Sequence, residues 1–300
     1  MVRTLAETIK EITKNHLDNG GMLLGQAITA VGNVNGTVPS HENIVELPMC
    51  DVAGAGFAVG AAIVGKRPIL VIRFQDFMFL NGSILVNYAA KAKEIFGKPC
   101  PIFIRAISAE GHGIGIVHSA CLHSIFCHVP GIKVVAPMTP MEYHIVWTDF
   151  THDDVPYFVS EHRVSYDKVE ELQDIVIKNA DITIYSIGAT RINTYAAVDM
   201  LKADGIECNV INLVYLKPLS LYNEQLNPLK AGKYGLVVDS DYEISGMAQS
   251  IAYNLMIETG KKVYALGRAD ASTGIGQHLI NGTPTVHMIV DKVKGIVSKK

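Results

Sequence analysis

The sequence predicts an α/β fold built on parallel sheets, and two observations support this prediction. Short apolar runs rich in valine and isoleucine, each flanked by glycine or proline, alternate with segments of helical length. Runs of this kind are typical of parallel strands that are buried on both faces and joined by helices. The composition agrees, because 49% of the 300 residues are hydrophobic and only 18% are charged. A chain of this length has room for two cores.

The first series of apolar runs extends from residue 21 to residue 160. Six runs predict strands, at 21–24, 44–47, 68–72, 101–105, 132–136 and 157–160. The segments between them that predict helices are 53–64, 82–96 and 140–150. This alternation predicts a large domain with a parallel sheet.

A charged stretch at 161–173 separates the first series from a second one. The second series predicts strands at 182–186, 207–213, 234–239 and 262–267, and helices at 192–202 and 245–259. We therefore place one domain at residues 1–175 and a smaller, complete α/β domain at residues 176–300.

Charge and hydropathy exclude several classes of protein. The formal net charge is −3 and the basic runs are short, so the sequence lacks the positive footprint of a nucleic-acid-binding protein. The N-terminus lacks the apolar core of a signal peptide, and no uncharged apolar run reaches the roughly 18 residues of a membrane span. We expect a cytoplasmic protein. Its five cysteines form no CxxC pair, which predicts free thiols in a reducing compartment.

A glycine-rich segment at 48–60 follows one of the predicted strands. A dinucleotide-binding GxGxxG motif starting at Gly54 would need glycine at position 59, where Val59 stands. The glycines are equally explained by close packing of a buried helix. Asp51 needs a separate explanation, because it lies at the end of an apolar strand and at the start of a helix. That position suits an acid that points into a cleft, and it also suits a helix N-cap.

Polar and aromatic side chains alternate after the strand at 68–72. They are Arg73, Phe74, Gln75, Asp76, Phe77 and Phe79. Aromatic rings at the carboxyl end of a strand can stack on a flat heterocycle. Three phenylalanines in a core of this size are also ordinary packing, so the segment alone leaves both interpretations open.

A glycine-rich loop after the strand at 101–105 carries His112 and His118. Mobile catalytic imidazoles are often found on such loops. The alternative is a zinc site, whose further ligands would be His123, His128, Cys121 and Cys127. Steps of five residues turn about 140° around a helix, so the histidines at 118, 123 and 128 do not share one helix face.

Three ordered segments give the chain a family resemblance. Residues 48–68, 73–91 and 118–137 resemble, in order and spacing, the beta subunit of the decarboxylating component of 2-oxo-acid dehydrogenases, within the transketolase-like superfamily. Residues 236–239 and 245–248 resemble the C-terminal domain of the same family. The resemblance implies a pyrimidine-binding domain for thiamine diphosphate, followed by a transketolase C-terminal-like domain.

The resemblance also implies roles for individual residues. The family's glutamate hydrogen-bonds N1′ of the pyrimidine and favours the tautomer that removes the proton from the thiazolium carbon; its place is taken by Asp51. The aromatic pocket around the pyrimidine falls on Phe74 and Phe77, with Arg73 beside them. The family's active-site histidine, which acts on the substrate carboxylate or on developing charge, falls on His118.

Further site positions follow from the same resemblance. His112 and Ser119 belong to the loop expected at the substrate, and Asp153 is the nearest match to an acid that helps to hold structural potassium in some relatives. Gln26 replaces a strand-end acid and cannot exchange a proton as a carboxylic acid does. Asp51 is one methylene shorter than glutamate, so it needs a closer cofactor, a shifted strand or an intervening water.

The family's diphosphate and magnesium motif, Gly-Asp-Gly followed by an asparagine, is absent from the sequence. The resemblance therefore implies an alpha-type partner subunit that carries this motif and binds Mg²⁺. It also implies a heterotetramer of two alpha and two beta chains, which fits the high apolar content.

These observations lead to the hypothesis of a thiamine-diphosphate enzyme that acts on a 2-oxo acid and is active only with its partner. Two alternatives stay open. One is the C-terminal half of a split transketolase-like or acyloin-forming ketol transferase. The other is a non-catalytic scaffold or regulatory subunit, which Gln26 and Asp51 make credible.

Overall fold

A computed structural model describes residues 3–30, 32–110, 114–274 and 281–298. The chain divides into two compact units, Met1–Glu171 and Leu172–Lys300. The sequence-based prediction places the domain boundary after residue 175. Within the described ranges, no helix is long and apolar enough to cross a membrane.

The first unit is built on parallel strands, as the sequence predicts. The strands are β1 (Leu23–Gln26), β2 (Ile44–Leu47), β3 (Ile69–Ile72), β4 (Phe103–Ser108), β5 (Lys133–Val135) and β6 (Tyr157–His162). They lie side by side in the order β2-β1-β3-β4-β6-β5, and every neighbouring pair is parallel. Every residue of β3, β4 and β6 is buried, which explains why these segments are nearly continuous apolar runs. The predicted α/β class is confirmed.

The first unit also contains α-helices, most of which lie between successive strands along the chain. They are Leu5–Asp18, Asp51–Ile63, Met78–Ile84, Ala92–Phe96, His123–Cys127 and Pro140–Thr151, with short turns of 3-10 helix at Gln75–Phe77, Ile116–His118 and Arg163–Ser165. Gly32–Gly36 is a left-handed turn in which Asn33, Val34 and Asn35 have positive φ. The helix Asp51–Ile63 packs closely on β2, because a Cβ added at Gly54 would lie 2.8 Å from the Leu47 side chain.

The helix predicted over residues 82–96 is not continuous. A π-helical segment, Leu85–Ala89, separates Met78–Ile84 from Ala92–Phe96. Gly131 approaches the end of the π-helical segment, where an added Cβ would lie 1.9 Å from the carbonyl oxygen of Ala90. Gly131 also has a φ of +79°, so only glycine suits this contact.

A buried ion pair joins β4 to β6. Arg105 donates from Nε and Nη2 to the two carboxylate oxygens of Glu161, at 2.7 and 2.9 Å, and both side chains are almost fully buried. Tyr143 and Tyr166 donate to the same carboxylate at 2.8 and 2.5 Å. Burial disfavours the cation, but the Glu161 carboxylate beside it holds the pKa of Arg105 well above its ordinary value. Arg105 is therefore a cation that is hydrogen-bonded to Glu161 inside the first unit.

The second unit has its own parallel sheet. The strands within residues 172–300 are β7 (Ile182–Ile187), β8 (Cys208–Leu213), β9 (Tyr215–Lys217), β10 (Tyr234–Tyr242) and β11 (Lys262–Arg268), and the helices are Thr190–Ala203, Asn223–Ala231, Met247–Thr259 and Val286–Val297. The strand β9 is not part of the second unit's own sheet. Four strands form a sheet in the order β11-β10-β7-β8. Ile184, Val210 and Leu236 are buried in its core together with Leu201 and Val293 of the helices. The predicted second α/β sheet is thus present.

Candidate functional site

A pocket of about 230 Å³ opens at the carboxyl ends of β1 and β3. The polar and aromatic side chains that line it are Gln26, Asp51, Arg73, Phe74, Phe77, Asn81 and His118. The carboxyl edge of a parallel sheet is where loops from neighbouring strands converge and ligands bind. The structure therefore brings six of the sequence-predicted site residues into one pocket, and it adds Asn81.

Asp51 is the first residue of the helix Asp51–Ile63, and Cys50 occupies the N-cap position. The Asp51 side chain does not cap this helix. Instead, its Oδ1 accepts a hydrogen bond from Nδ2 of Asn81 at 2.8 Å, and no described residue donates to Oδ2. The carboxylate is half-buried and has one oxygen open, which is the arrangement an acid needs to contact a ligand in the pocket.

Gln26 ends β1 directly beside the start of this helix. With its amide oriented so that the oxygen faces the backbone, this oxygen accepts from the N–H groups of Asp51 and Cys50 at 3.1 and 3.3 Å. The Asp51 N–H belongs to the first turn of the helix and has no partner within it, so Gln26 supplies the acceptor that this donor lacks. The Cys50 N–H also donates to the Pro48 carbonyl at 2.7 Å. Its neutral amide fixes the backbone that carries Asp51.

Phe74, Phe77 and His118 form a cluster of three rings on one wall of the pocket. The Phe74 and His118 ring centroids are 4.6 Å apart at an interplanar angle of 86°, and Phe77 lies 5.3 Å from His118 at 71°. These edge-to-face contacts orient the imidazole. The aromatic segment therefore offers ring surface to the pocket and also supports His118.

The two residues between the phenylalanines hold the loop that carries His118. Oε1 of Gln75 accepts from the backbone N–H of Leu122 at 2.7 Å, and Oδ2 of Asp76 accepts from that of Ala120 at 3.2 Å. Gln75 is completely buried, and its Nε2 donates to the Ala106 carbonyl at 3.1 Å. The segment after β3 thus positions the loop through its backbone as well as through its rings.

Two guanidinium groups lie next to Phe74. The Cζ atoms of Arg73 and Arg163 lie 5.7 and 5.1 Å from the Phe74 ring centroid, and Nη1 of Arg73 donates to the Ala27 carbonyl at 2.9 Å. Nε of Arg73 and Nε and Nη2 of Arg163 are buried without an acceptor in the described part of the chain. Burial lowers the pKa of both arginines. Buried donors without acceptors favour the binding of an anion.

The remaining predicted residues lie in different surroundings. Ser119 is buried and donates to the Gly115 carbonyl at 2.8 Å. Asp153 forms an ion pair with Lys133 and accepts from the Tyr157 hydroxyl at 3.0 Å. Neither Ser119 nor Asp153 lines the pocket. His112 lies outside the described residues.

Of the histidines and cysteines beyond His118, Cys121 and His123 are buried, Cys127 is partly buried and His128 is exposed. Nδ1 of His123 lies 3.2 Å from Sγ of Cys121 and 3.1 Å from Oγ of Ser160. Within the described ranges, no group of three or more histidine, cysteine, aspartate or glutamate side chains could hold a metal ion. Nothing in this geometry favours the zinc alternative.

Comparison with protein families identifies both parts of the chain. Residues 12–168 match the family described as Transketolase, pyrimidine binding domain, and residues 173–278 match Transketolase, C-terminal domain. The first match alone covers more than half of the chain. The chain belongs to the transketolase pyrimidine-binding family. The resemblance inferred from the sequence is thereby confirmed.

Several curated relatives of this transketolase-family chain are named as beta subunits. It is 30% identical over 205 residues to the beta subunit of acetoin:2,6-dichlorophenolindophenol oxidoreductase from Cupriavidus necator, covering 64% of this chain and 61% of that one. It is 29% identical over 273 residues to subunit beta of the pyruvate dehydrogenase E1 component from Porphyra purpurea, covering 85% and 82%. It is 28% identical over 226 residues to subunit beta of 2-oxoisovalerate dehydrogenase from Bacillus subtilis, covering 71% and 69%.

Solved structures show the same fold. A structure titled split gene transketolase, inactive beta4 tetramer, has a TM-score of 0.75 at 19% identity and covers 99% of both chains. A transketolase from Campylobacter jejuni has a TM-score of 0.74 at 17% identity and covers 98% of this chain and 46% of that one. The fold of these transketolase structures thus matches 98–99% of the chain.

Proposed function

We propose that this chain is the beta-type subunit of a thiamine-diphosphate enzyme that acts on a 2-oxo acid and requires an alpha-type partner. The observation that carries the proposal is the pocket in which Asp51, with one free carboxylate oxygen, lies with the rings of Phe74, Phe77 and His118. The beta-subunit names of the curated relatives support the same role.

The pocket fits the pyrimidine of thiamine diphosphate. A flat heterocycle suits the phenylalanine wall, and a ring nitrogen suits the open oxygen of Asp51. When bound, this cofactor supplies a carbanion that adds to the substrate carbonyl and then stabilises the charge left by decarboxylation. The task of Asp51 is to hold a proton between Oδ2 and the ring nitrogen, while Phe74 and Phe77 keep water from the ring.

The substrate side of the pocket is positively charged. Arg73 lines the pocket, and Arg163, which is not part of the lining, lies against the same Phe74 ring. Their two guanidinium groups give this side a positive charge that suits the carboxylate of a 2-oxo acid, and Phe74 in turn contacts His118. Charge-assisted hydrogen bonds from guanidinium to carboxylate are among the stronger ones in proteins. His118 is placed to donate to the substrate carboxylate or carbonyl oxygen. The loop residues His112 and Ser119 remain predicted contributors to this side.

The partner supplies what this sequence lacks. We assign Mg²⁺ and the cofactor's diphosphate to an alpha-type chain that carries the Gly-Asp-Gly motif, in a heterotetramer. Apolar side chains exposed around the Asp51 helix fit burial against another subunit: Met49 is 81% exposed, Val64 77% and Phe57 50%. A cytoplasmic location stays a prediction from the sequence. A structural potassium ion at Asp153 also stays a prediction, and it would have to share that carboxylate with Lys133.

One alternative draws on the same arginines. Guanidinium groups also bind phosphate, so Arg73 and Arg163 would suit the ketose phosphate of a split transketolase. Product analysis of the assembled enzyme with pyruvate and with ketose phosphates separates the two activities. A scaffold without catalysis would give no product from either substrate.

The test is cofactor binding by calorimetry. The chain is co-expressed with an alpha-type chain that carries Gly-Asp-Gly, and thiamine diphosphate with Mg²⁺ is titrated into the pair and into each chain alone. We expect tight binding only to the pair, followed by decarboxylation of a 2-oxo acid. Asp51→Ala should abolish the decarboxylation, whereas Asp199→Ala, at an exposed position in the second unit, should not. A pair that binds no cofactor would overturn the proposal.

A further inference from the structure

We propose that Asn81 is a positioning residue that fixes the Asp51 carboxylate so that only Oδ2 is offered to the pocket. This inference rests on the proposed function and deepens it, because it assigns a task to a residue that the sequence did not single out. Asn81 lies in the helix Met78–Ile84, directly after the turn that carries the phenylalanine wall.

The geometry around Asn81 leaves its amide little freedom. Its Nδ2 donates to Oδ1 of Asp51 at 2.8 Å and to the carbonyl of Phe77 at 3.0 Å, so both amide hydrogens have acceptors. The side chain is 6% exposed. A buried amide with both hydrogens bonded does not rotate freely, and it therefore sets the position of the carboxylate that it touches.

The Asp51 carboxylate is held from two sides. Asn81 fixes Oδ1 through the side chain, and Gln26 fixes the backbone through the N–H groups of Asp51 and Cys50. Oδ1 already accepts a hydrogen bond from Asn81, whereas no described residue donates to Oδ2, so Oδ2 keeps its full acceptor capacity for a ligand. Asn81 and Gln26 therefore determine the orientation of the short Asp51 side chain.

The same contact explains why aspartate, rather than a longer acid, suits this position. A glutamate at position 51 would extend the carboxylate by about 1.5 Å, one carbon–carbon bond. Oδ1 already lies 2.8 Å from the Asn81 amide, so a longer side chain has to displace that amide or turn away from it. Aspartate at 51 and asparagine at 81 are thus a matched pair.

A substitution cycle in the assembled alpha–beta enzyme tests the pairing. Asn81→Ala, Asp51→Glu and the double variant are compared with the original chain by deuterium exchange at the thiazolium carbon of bound thiamine diphosphate, with kcat and KM measured alongside. We expect Asn81→Ala to slow the exchange by on the order of tenfold to a hundredfold, the loss of one hydrogen bond to a charged group. KM should change little. We expect Asp51→Glu also to slow the exchange, and the double variant to recover at least tenfold over Asp51→Glu alone.

Controls separate positioning from folding and from the proposed function. Asn81→Leu, which fills the same space without a donor, should behave like Asn81→Ala, and Asn87→Ala, at an exposed position in the π-helical segment, should exchange like the original chain. In the full chain without a partner, the side-chain amide NMR signal of Asn81 should move on Asp51→Ala. This inference is overturned if the exchange rate of the double variant falls by the product of the two single-variant losses. It is also overturned if Asn81→Ala exchanges at the rate of the original chain. Failure of the original pair to bind cofactor overturns the proposed function instead.

Discussion

At the scale of single residues, Gln26 and Asn81 surround Asp51 with amide groups. One amide accepts from the backbone on which Asp51 is carried, and the other donates to its carboxylate. Amides do not change charge with pH, so these contacts keep their hydrogen-bonding pattern while Asp51 gains or loses a proton. Gln26 stands where the family resemblance predicts an acid, and in the structure its amide oxygen faces the backbone at the start of the Asp51 helix.

Arg163 gives a prediction at this scale. Replacing it by leucine should raise the KM for a 2-oxo acid by roughly tenfold, because a positive charge next to the pocket, against Phe74, is lost. The effect on kcat should be smaller. Steady-state kinetics of the assembled enzyme measures both constants, and Arg3→Leu, at an exposed ion pair, is the control. An unchanged KM in Arg163→Leu would show that its free N–H groups serve another partner.

The sequence predicted most of the pocket lining but not Asn81, and it did not predict Arg163, which lies against Phe74 outside the lining. Asp51, Phe74 and His118 stand out because acids, aromatic residues and histidines occur at the ends of apolar strands or in a glycine-rich loop. Asn81 is an ordinary helix residue 30 positions away from Asp51, and their contact exists only in the folded chain. Arg163 follows the strand β6, so its position at the same sheet edge is the signal that could have revealed it.

At the scale of elements, the segment after β3 organises one wall of the pocket. Phe74 and Phe77 contact the His118 ring, whereas Gln75 and Asp76 bind the backbone beyond it. The 3-10 turn Gln75–Phe77 lets neighbouring side chains serve two purposes, contact with the His118 ring and hydrogen bonding to the loop backbone. The loop that carries His118 is therefore held by residues 74–77, which directly follow the buried strand β3.

Gln75→Leu should loosen that loop. Leucine keeps the volume but removes the acceptor for the Leu122 N–H and the donor to Ala106, so this backbone amide should exchange faster with solvent. We expect faster hydrogen–deuterium exchange at residues 120–122 and a lower kcat, with unchanged exchange in the second unit. Gln173→Leu, at an exposed position, serves as the control. Equal protection of residues 120–122 in Gln75→Leu and the original chain would contradict this account.

Element prediction from the sequence succeeded where burial is continuous. The strands β3, β4 and β6 are buried along their whole length, and their apolar runs are unambiguous. The helix Leu5–Asp18 was missed, although Thr4 and Glu7 form a capping box at its start. The spacing of apolar residues does not reveal the π-helical segment Leu85–Ala89. This segment ends where Gly131 contacts Ala90, a tertiary contact that the sequence pattern does not show.

At the scale of the whole molecule, stability of the first unit should depend on the buried pair Arg105–Glu161. Glu161→Gln leaves the arginine charged and unpaired in the interior, so we expect the free energy of unfolding to fall by about 3–5 kcal/mol. Trp147 is the single tryptophan of the chain and lies in the first unit, so its fluorescence during urea unfolding reports this change. Glu224→Gln, at an exposed position, should stay within about 0.5 kcal/mol of the original chain. A similarly small effect of Glu161→Gln would contradict this assignment.

The reactivity of the cysteines reports how well the core of each unit excludes a reagent, because Cys100 is buried in the first unit and Cys208 in the second. The five cysteines are thiols that take part in no disulfide. Cys50 is exposed, whereas burial raises the pKa of Cys100 and of Cys208 to about 12. Thiolate is the reactive form, so at pH 8 the full chain without a partner should react with a thiol reagent at Cys50 well before these two. Mass spectrometry of partly labelled protein, with Cys50→Ser as the control, measures the order. Labelling of Cys100 or Cys208 as fast as Cys50 would show that the cores open readily.

The central claim is that Asp51 completes a thiamine-diphosphate site shared with a partner chain. The most direct measurement is the rate of deuterium exchange at the thiazolium carbon of the cofactor bound to the assembled alpha–beta enzyme. We predict that Asp51→Ala slows this exchange by at least a hundredfold, since removing a positioned acid–base group typically costs about 10²–10⁴-fold. An exchange rate in Asp51→Ala equal to that of the original enzyme would contradict the claim.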